Sequence, residues 1–266
     1  MAIVIESMKA KLTLSILILI FACSAILYFH AALARWSWYA FRLPELSVFL
    51  NRNAGFALEI GNYYFNVYGD GVYDLRRAQK YFERALFLDP NVPDAWHQLA
   101  RIDFLRGNFA DALLKINKQI EIHGDSFMAS YYMRGLINGY AGNLNQAEAD
   151  FKKFLAWDSA NWAAHNDLAW IYFKKGDYKK VEITAREGLV FDKSNPWLLI
   201  SLGASLLNQG KKSEAKKIFE SAQATAAALT EKDWNKAYPG NDPRIALKGL
   251  EEMKKTIEYN LELSKK

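Results

Sequence analysis

The stretch that decides the fold runs from Ala95 to Ile116 and reads AWHQLARIDFLRGNFADALLKI. It contains two segments with helical spacing of apolar residues, separated by a turn at Gly107. A second copy of the pattern, WAAHNDLAWIYFKKGDYKKVEITA, occupies residues 162–185 with its turn at Gly176. The sequence therefore predicts a helix pair that recurs along the chain.

The recurrence has a period of 34 or 35 residues. The turn glycines are Gly107, Gly142, Gly176 and Gly210. A small residue near the start of each second helix is followed, four residues later, by a residue that is usually larger. The two series are Ala78, Ala112, Ala147, Val181 and Ala215, and Phe82, Ile116, Phe151, Ala185 and Phe219. Four residues separate neighbours on one helix face, so the small side chain lets two helices approach and the larger one fills the gap. One pair cannot bury its apolar face alone, and at least about three must stack.

The sequence Trp96-His-Gln-Leu99-Ala100 resembles the first-helix signature of the tetratricopeptide repeat family, as does Leu168-Ala169 followed by Tyr172. The resemblance implies an all-α fold, a right-handed α-solenoid of about five helix pairs. The predicted repeats are residues 54–92, 93–127, 128–161, 162–195 and 196–229. Two departures stand out: about five extra residues around residues 68–72, and Arg134 and Asn138 in place of apolar residues.

The N-terminal part of the chain has no Asp, Glu, Lys or Arg from Leu12 to Ala34. As a helix this run would be about 34 Å long, enough to cross a hydrocarbon core about 30 Å thick. It predicts a transmembrane or signal-anchor helix after a short tail at residues 1–11. Residues 35–53 are then an aromatic juxtamembrane linker, with Trp36 and Trp38 placed where aromatic residues collect at a membrane interface.

Three fates of the apolar segment are compatible with its sequence. Its length favours an uncleaved anchor. The tripeptide Ala32-Leu33-Ala34 fits the small-x-small pattern of signal-peptide cleavage, and Ile20-Phe-Ala-Cys23 resembles a bacterial lipobox with Cys23 as the lipidated residue. Basic residues lie on both sides of the run and discriminate little between orientations. The short basic tail favours a C-terminal domain outside the cytoplasm.

After the repeats, a linker is predicted at residues 230–242, where Pro239-Gly-Asn-Asp-Pro243 interrupts helical spacing. Apolar residues then recur every three or four positions from Ala246 to Ile257, with Lys and Glu between them. This spacing predicts an amphipathic helix at residues 243–263 that caps the exposed face of the last pair.

The resemblance also implies a way of working, in which the first helices line a concave groove that holds a segment of another protein. The family's groove positions, transferred to this chain, give His97, Arg101, Phe104, Tyr132, Asn166, Trp170, Phe173 and Trp197. This mostly aromatic lining suits an apolar or amphipathic partner segment anchored by its side chains. Chaperone-binding members of the family use a Lys/Asn/Arg clamp, to which only Arg101 and Asn166 correspond.

No sequence feature predicts catalysis, a metal site or a cofactor. The four histidines are not at metal-ligand spacing, and neither a Gly-x-Ser-x-Gly nor a phosphate-binding loop occurs. The single cysteine, Cys23, excludes an intramolecular disulfide and a cysteine-based zinc cluster. The net charge of +5 is spread along the chain without a basic block that interleaves with aromatic residues, so nucleic acid is not a predicted partner.

The sequence as a whole predicts a membrane-anchored scaffold or adaptor in an envelope assembly, a protein that binds proteins and is not an enzyme. Two alternatives stay open. The first is a cytosol-facing import or chaperone-type receptor, which the topology of the repeat domain would separate from an envelope scaffold. The second is a self-associating structural protein, a homo-oligomer whose groove is filled by its own chain, which light scattering would detect.

Overall fold

The structure is a computed structural model that describes residues 2–67, 69, 71–238 and 240–265, and helices dominate it. The helices are α1 (Ala2–Phe41), α2 (Pro44–Leu50), α3 (Ala54–Tyr64), α4 (Leu75–Leu88), α5 (Ala95–Leu105), α6 (Phe109–His123), α7 (Ala129–Ala141), α8 (Leu144–Trp157), α9 (Trp162–Lys174), α10 (Tyr178–Phe191), α11 (Pro196–Asn208), α12 (Lys212–Ala227), α13 (Glu231–Ala237) and α14 (Ala246–Lys265). Short 3₁₀ turns lie at Gly124–Phe127 and Pro243–Ile245. Within the described residues there is no strand, only an isolated bridge between Phe65 and Tyr73.

Helices α3 to α12 form five consecutive pairs, as the repeat pattern predicts. The four turn glycines at 107, 142, 176 and 210 have φ between +74° and +87°, a backbone conformation that residues with a β-carbon rarely adopt. The first helices begin at side-chain caps in three pairs. Asn53, Asn161 and Asn195 each accept a hydrogen bond from the backbone N–H three residues later. Local chemistry therefore sets both where helices start and where they turn.

Within a pair, a small residue on the first helix faces a large residue on the second. Gly203 lies against Phe219, and a β-carbon at Gly203 would come within 2.8 Å of the phenyl ring. Gly135 meets Phe151 in the same way. All residues of the small and large series are buried, and Phe151 and Phe219 are fully so. The close helix contact thus depends on the missing side chain at the glycine.

The third pair replaces two expected apolar residues by a polar cluster on α7 and α8. Arg134 donates to both carboxylate oxygens of Asp150, at 2.9 and 2.6 Å, and Asn138 donates to the same carboxylate at 3.3 Å. Asp150 is buried, so its charge is compensated inside the protein. The departures at Arg134 and Asn138 are therefore matched by a third departure on the second helix.

A recurring contact joins neighbouring pairs. The residue after the small position of one second helix accepts a hydrogen bond from the turn residue 27 positions later: Arg106 to Gln79 (2.7 Å), Lys175 to Glu148 (2.6 Å) and Gln209 to Glu182 (3.0 Å). Lys211 also donates to Glu182, at 2.8 Å. Hydrogen bonds from Lys211, Arg186 and Gln209 lower the pKa of Glu182 to about 2. These contacts fix the stacking of successive pairs from the outside.

The C-terminal helix α14 covers the last pair, as predicted. Its buried residues are Ala246, Leu250, Met253, Ile257 and Leu261. They pack against α12 and α11, beside Phe219 and Ala222. The helix begins at Ala246 rather than at residue 243, because Pro243–Ile245 forms a 3₁₀ turn.

The N-terminal helix α1 is continuous up to Phe41, and its last turns pack on the first pair. Trp38, which the sequence places at a membrane interface, is buried with its ring 5.1 Å from that of Tyr63. Ser37 shares a 2.7 Å hydrogen bond with Ser47 on α2. Residues 35–53, predicted as a linker, therefore contain the end of α1 and all of α2, both packed on the repeats. The extra residues of the first pair close a loop through the Phe65–Tyr73 bridge; Tyr68 and Asp70 lie outside the described residues.

Candidate protein-interaction groove

One face of the solenoid is formed by the first helices of the pairs. Helices α5, α7, α9 and α11 contact one another in order, so side chains from successive pairs meet on this face. A row of rings runs across its middle: the Phe104 and Tyr140 ring centroids are 5.2 Å apart, and those of Tyr140 and Trp170 are 4.9 Å apart. The groove floor is thus an aromatic surface assembled from three repeats.

The end of the groove in the fifth pair is also aromatic. The Trp162 and Trp197 rings stack with centroids 5.0 Å apart. The Trp197 indole N–H donates to the Tyr238 hydroxyl at 2.8 Å, and Trp234 lies within ring contact of both, at 6.4 and 4.6 Å. Four rings therefore form one cluster, in which the Trp197 N–H and the Tyr238 hydroxyl are paired with each other.

The middle of the groove contains a carboxyl group in an apolar setting. Tyr132 donates to Asp167 at 2.5 Å, and Ser201 donates to the neighbouring Asn166 at 2.9 Å. Burial raises the pKa of Asp167 to about 6, although hydrogen bonds from Tyr132 and Asn166 favour the charged form. Asp167 therefore titrates at mildly acidic pH.

The end of the groove in the second pair is polar. Asp94 accepts from Gln98 at 2.8 Å, and the Gln98 side-chain oxygen accepts from Arg101 at 2.8 Å. The Arg101 guanidinium lies 4.8 Å above the ring of Phe65. Burial lowers the pKa of Arg101 and raises that of Asp94, so both groups sit in a setting that disfavours charge. At this end the planar Arg101 guanidinium is held in position by Gln98.

The predicted linker after the repeats lies in this groove. Residues 230–245, called the strap below, connect α12 to α14; Pro239 lies outside the described residues. Tyr238 of the strap contacts the fifth pair, and Gly240 packs against the Arg101 guanidinium in the second. Burial, followed by the charge of Asp242 in the strap, raises the pKa of Tyr73 in the first pair.

The predicted site residues are placed unequally. Arg101, Phe104, Tyr132, Asn166, Trp170 and Trp197 line the groove. His97 does not, because its ring is buried 5.5 Å from that of Phe127, with Nδ1 3.2 Å from the Ser130 hydroxyl. Burial, followed by the Arg101 charge, lowers the pKa of His97 to about 3 and keeps the imidazole neutral. Phe173 lies beside Tyr178 at the turn of its pair, outside the aromatic row.

Sequence reasoning missed the strap residues and Tyr140. Trp234 and Tyr238 are four residues apart, the helical spacing of a two-residue anchor, but they stand among Lys, Asn and Asp before a Pro/Gly-rich break. That composition is typical of an exposed connection, so the two aromatic residues were not predicted to be buried. Across the described residues no group of three or more His, Cys, Asp or Glu is arranged to hold a metal ion.

Within the described residues one helix is long and apolar enough to cross a membrane. Thr13–Phe41 has a mean hydropathy of 2.4 and lies near the N-terminus, with its most apolar window exposed. Cys23 is exposed on this helix. A secretory signal would meet the same criteria of length and composition.

Comparison with known proteins agrees with the repeat architecture. The tetratricopeptide repeat profile matches residues 74–125 and 132–186. These residues are therefore tetratricopeptide repeats, and the fold is an α-solenoid of the kind such repeats form. The comparison with curated protein sequences finds no match.

Several solved structures share the fold. The type IV pilus biogenesis factor PilW has 19% identity and a TM-score of 0.59, over 78% of this chain and 91% of PilW. MamA from Desulfovibrio magneticus RS-1 has 15% identity and a TM-score of 0.58, over 66% of this chain and 96% of that one. YrrB, described as having an unusual peptide-binding site, has 14% identity and a TM-score of 0.53, over 77% and 96%. At these identities the likeness concerns the fold alone.

Proposed function

We propose that the protein is a membrane-anchored adaptor that binds a protein partner through its groove and performs no catalysis. The observation that carries this proposal is that the groove already holds a peptide segment, the strap, through aromatic rings at one end and Arg101 at the other. A surface that holds a segment of its own chain in this way has the shape and chemistry to hold a partner segment.

The membrane part of the proposal rests on α1. Its apolar part exceeds the roughly 20 residues that a span needs, and its surface there is exposed. We place the repeat domain outside the cytoplasm, in an envelope assembly, because the basic N-terminal tail is typical of an export signal.

Site-specific photocrosslinking in intact cells tests the groove. A photoreactive phenylalanine analogue replaces Tyr140, which is 55% exposed in the aromatic row, and a matched control replaces Val190, 69% exposed on α10. We expect Tyr140 to give an adduct with one partner polypeptide and Val190 to give none. The same adducts from both positions would refute a groove site, and adducts only between copies of this chain would support the structural homo-oligomer instead.

Thiol labelling tests the topology. Cys23→Ser removes the chain's only cysteine, and Lys216→Cys introduces one on the outer helix α12. A membrane-impermeant maleimide applied to cells whose inner membrane is intact should label this cysteine if the domain is extracytoplasmic. Labelling only after lysis of the membrane would favour the cytosol-facing receptor.

A further inference from the structure

The strap begins with its own folding signal. Thr230 and Asp233 form a capping box, in which the Thr230 N–H donates to Asp233 at 2.9 Å and the Asp233 N–H donates to the Thr230 hydroxyl at 3.3 Å. This cap starts α13, which carries Trp234, and Tyr238 follows the helix directly with its ring 4.6 Å from that of Trp234. Lys232 and Lys236 are exposed. The strap therefore begins with a short amphipathic helix and carries two aromatic anchors, Trp234 within the helix and Tyr238 directly after it.

The first anchor, Trp234, packs against two helices, α11 and α14. Its indole lies 6.4 Å from that of Trp197, and a β-carbon at Gly249 of α14 would overlap it. Among the described residues, however, the buried Trp234 N–H has no hydrogen-bond acceptor. A buried donor without an acceptor costs about 1–3 kcal/mol. The anchor fits by shape but leaves one polar group unsatisfied.

The second anchor and the following turn are more closely matched. The Tyr238 hydroxyl accepts from Trp197, and burial raises the Tyr238 pKa to about 12, so the phenol is neutral. Gly240 has φ +84° and is buried against the Arg101 guanidinium, where any side chain would overlap it. The groove thus contacts two features of the strap in order: an aromatic pair and a left-handed glycine.

From these contacts we infer that the strap is an intramolecular ligand, and that the groove's partner carries a segment of the same chemistry that displaces it. That partner segment begins with a short amphipathic helix and carries two aromatic residues, one within the helix and one directly after it, followed by a glycine turn against Arg101. This inference rests on the proposed function and names its partner class. A tethered segment competes at an effective concentration on the order of millimolar, so partner affinity falls while the strap is seated.

A peptide supplied in trans tests the inference. The probe is a fluorescent peptide of residues 229–245, added to the full chain in detergent or nanodiscs. In the variant Trp234→Ala/Tyr238→Ala the tethered strap is weakened while the peptide keeps both rings. We expect the variant to bind the peptide at least tenfold more tightly than the wild-type chain, as measured by fluorescence anisotropy. A matched control variant, Lys232→Ala/Lys236→Ala, changes exposed residues of the same strap and should behave as wild type.

A second peptide and a second variant guard the result. A peptide with both aromatic residues replaced by alanine should lose binding to the double variant. Gly240→Val displaces the turn and leaves the rings in place, and it should raise peptide affinity as well. Unchanged helical content by circular dichroism shows that each variant remains folded. Equal peptide affinity in wild type and both variants, or no binding to either folded variant, would overturn the inference.

Failure of the inference and of the proposed function are distinguishable. A partner that crosslinks from Tyr140 equally in wild type and in the double variant leaves the adaptor function intact and refutes displacement. Tight binding of the trans peptide without any partner adduct in cells supports the intramolecular ligand and refutes the adaptor.

Discussion

The two ends of the groove hold the strap by different chemistry. At the fifth pair, Trp162, Trp197, Trp234 and Tyr238 form an aromatic cluster with one internal hydrogen bond. At the second pair, Arg101 meets the strap backbone at a single glycine and is held by Gln98. Buried aromatic area supplies most of the free energy of such contacts, whereas a positioned polar group selects one register. The fifth pair therefore supplies most of the binding free energy of the strap, and the second pair fixes the position of the strap along the groove.

The largest expected effect comes from the aromatic end. Trp197→Ala removes the ring that contacts Trp162, Trp234 and Tyr238, and we expect a loss of about 3–5 kcal/mol in the free energy of unfolding. Denaturant unfolding of the full chain in detergent measures it. Trp157→Ala is the matched control, because Trp157 is 64% exposed on α8 and should change stability by less than about 1 kcal/mol. Equal losses of unfolding free energy in the two variants would show that the aromatic cluster contributes no more to stability than an exposed tryptophan.

The middle of the groove gives a pH-dependent effect. The pKa of Asp167 is about 6 in the folded chain and 3.8 as its ordinary value. The folded state therefore binds more protons between these values, and stability falls as pH rises from about 4 to 6, by up to about 3 kcal/mol. Asp167→Asn keeps an acceptor for Tyr132 and should flatten the dependence over that window. Unfolding curves with the same slope in both proteins would contradict this assignment.

The polar end should matter less for stability than for position. Arg101→Met keeps a long side chain but removes the guanidinium, and we expect a loss of about 1–2 kcal/mol. Hydrogen exchange of residues 240–245 should accelerate about tenfold, while amides of α14 keep their protection. A loss larger than that of Trp197→Ala would reverse the division between anchoring and register.

The smallest effect is expected outside the groove, at the contacts between pairs. Glu182→Gln weakens the hydrogen bonds from Lys211 and Arg186, both of which are half-exposed, so the loss should be about 0.5–1 kcal/mol. The folded pKa of Glu182 is lowered to about 2, so its contribution is present above about pH 4.5 and is lost as pH falls toward 2. Glu214→Gln, at a more exposed position, is the control. A change in the hydrogen-exchange rates of the strap amides in Glu182→Gln would show that the contacts between pairs influence the groove.

The repeat architecture was predictable because its signal is periodic and its physics is local. The turn glycines and the small and large series specify helix ends and helix contacts within one repeat, and all of them are found in place. The aromatic residues of the groove were partly predictable: Phe104, Tyr132, Trp170 and Trp197 follow from their positions on the first helices. His97 was misplaced because its environment is formed by Ser130 of the next pair and by Phe127 of the turn that precedes that pair.

The strap was not predictable from local spacing. Its rings are recognised by Trp197, its backbone by Arg101, and these residues are far apart in the chain. The same limit applies to Trp38, whose burial depends on Tyr63, and to Arg134, whose charge is compensated by Asp150. Sequence patterns describe a residue's own helix well and its distant neighbours poorly.

The packing of the last turns of α1 on the first pair has a mechanical consequence. Ala34, Ser37 and Trp38 are buried among the repeats, and the Arg42 guanidinium lies 4.8 Å above the Trp38 ring. If α1 spans a bilayer, as we propose, its tilt and rotation are transmitted to the whole solenoid, because the helix is continuous up to Phe41 and its last turns pack on the first pair. The groove would then lie at a fixed distance from the lipid surface and in a fixed orientation. Partners would approach it along the membrane rather than from every direction.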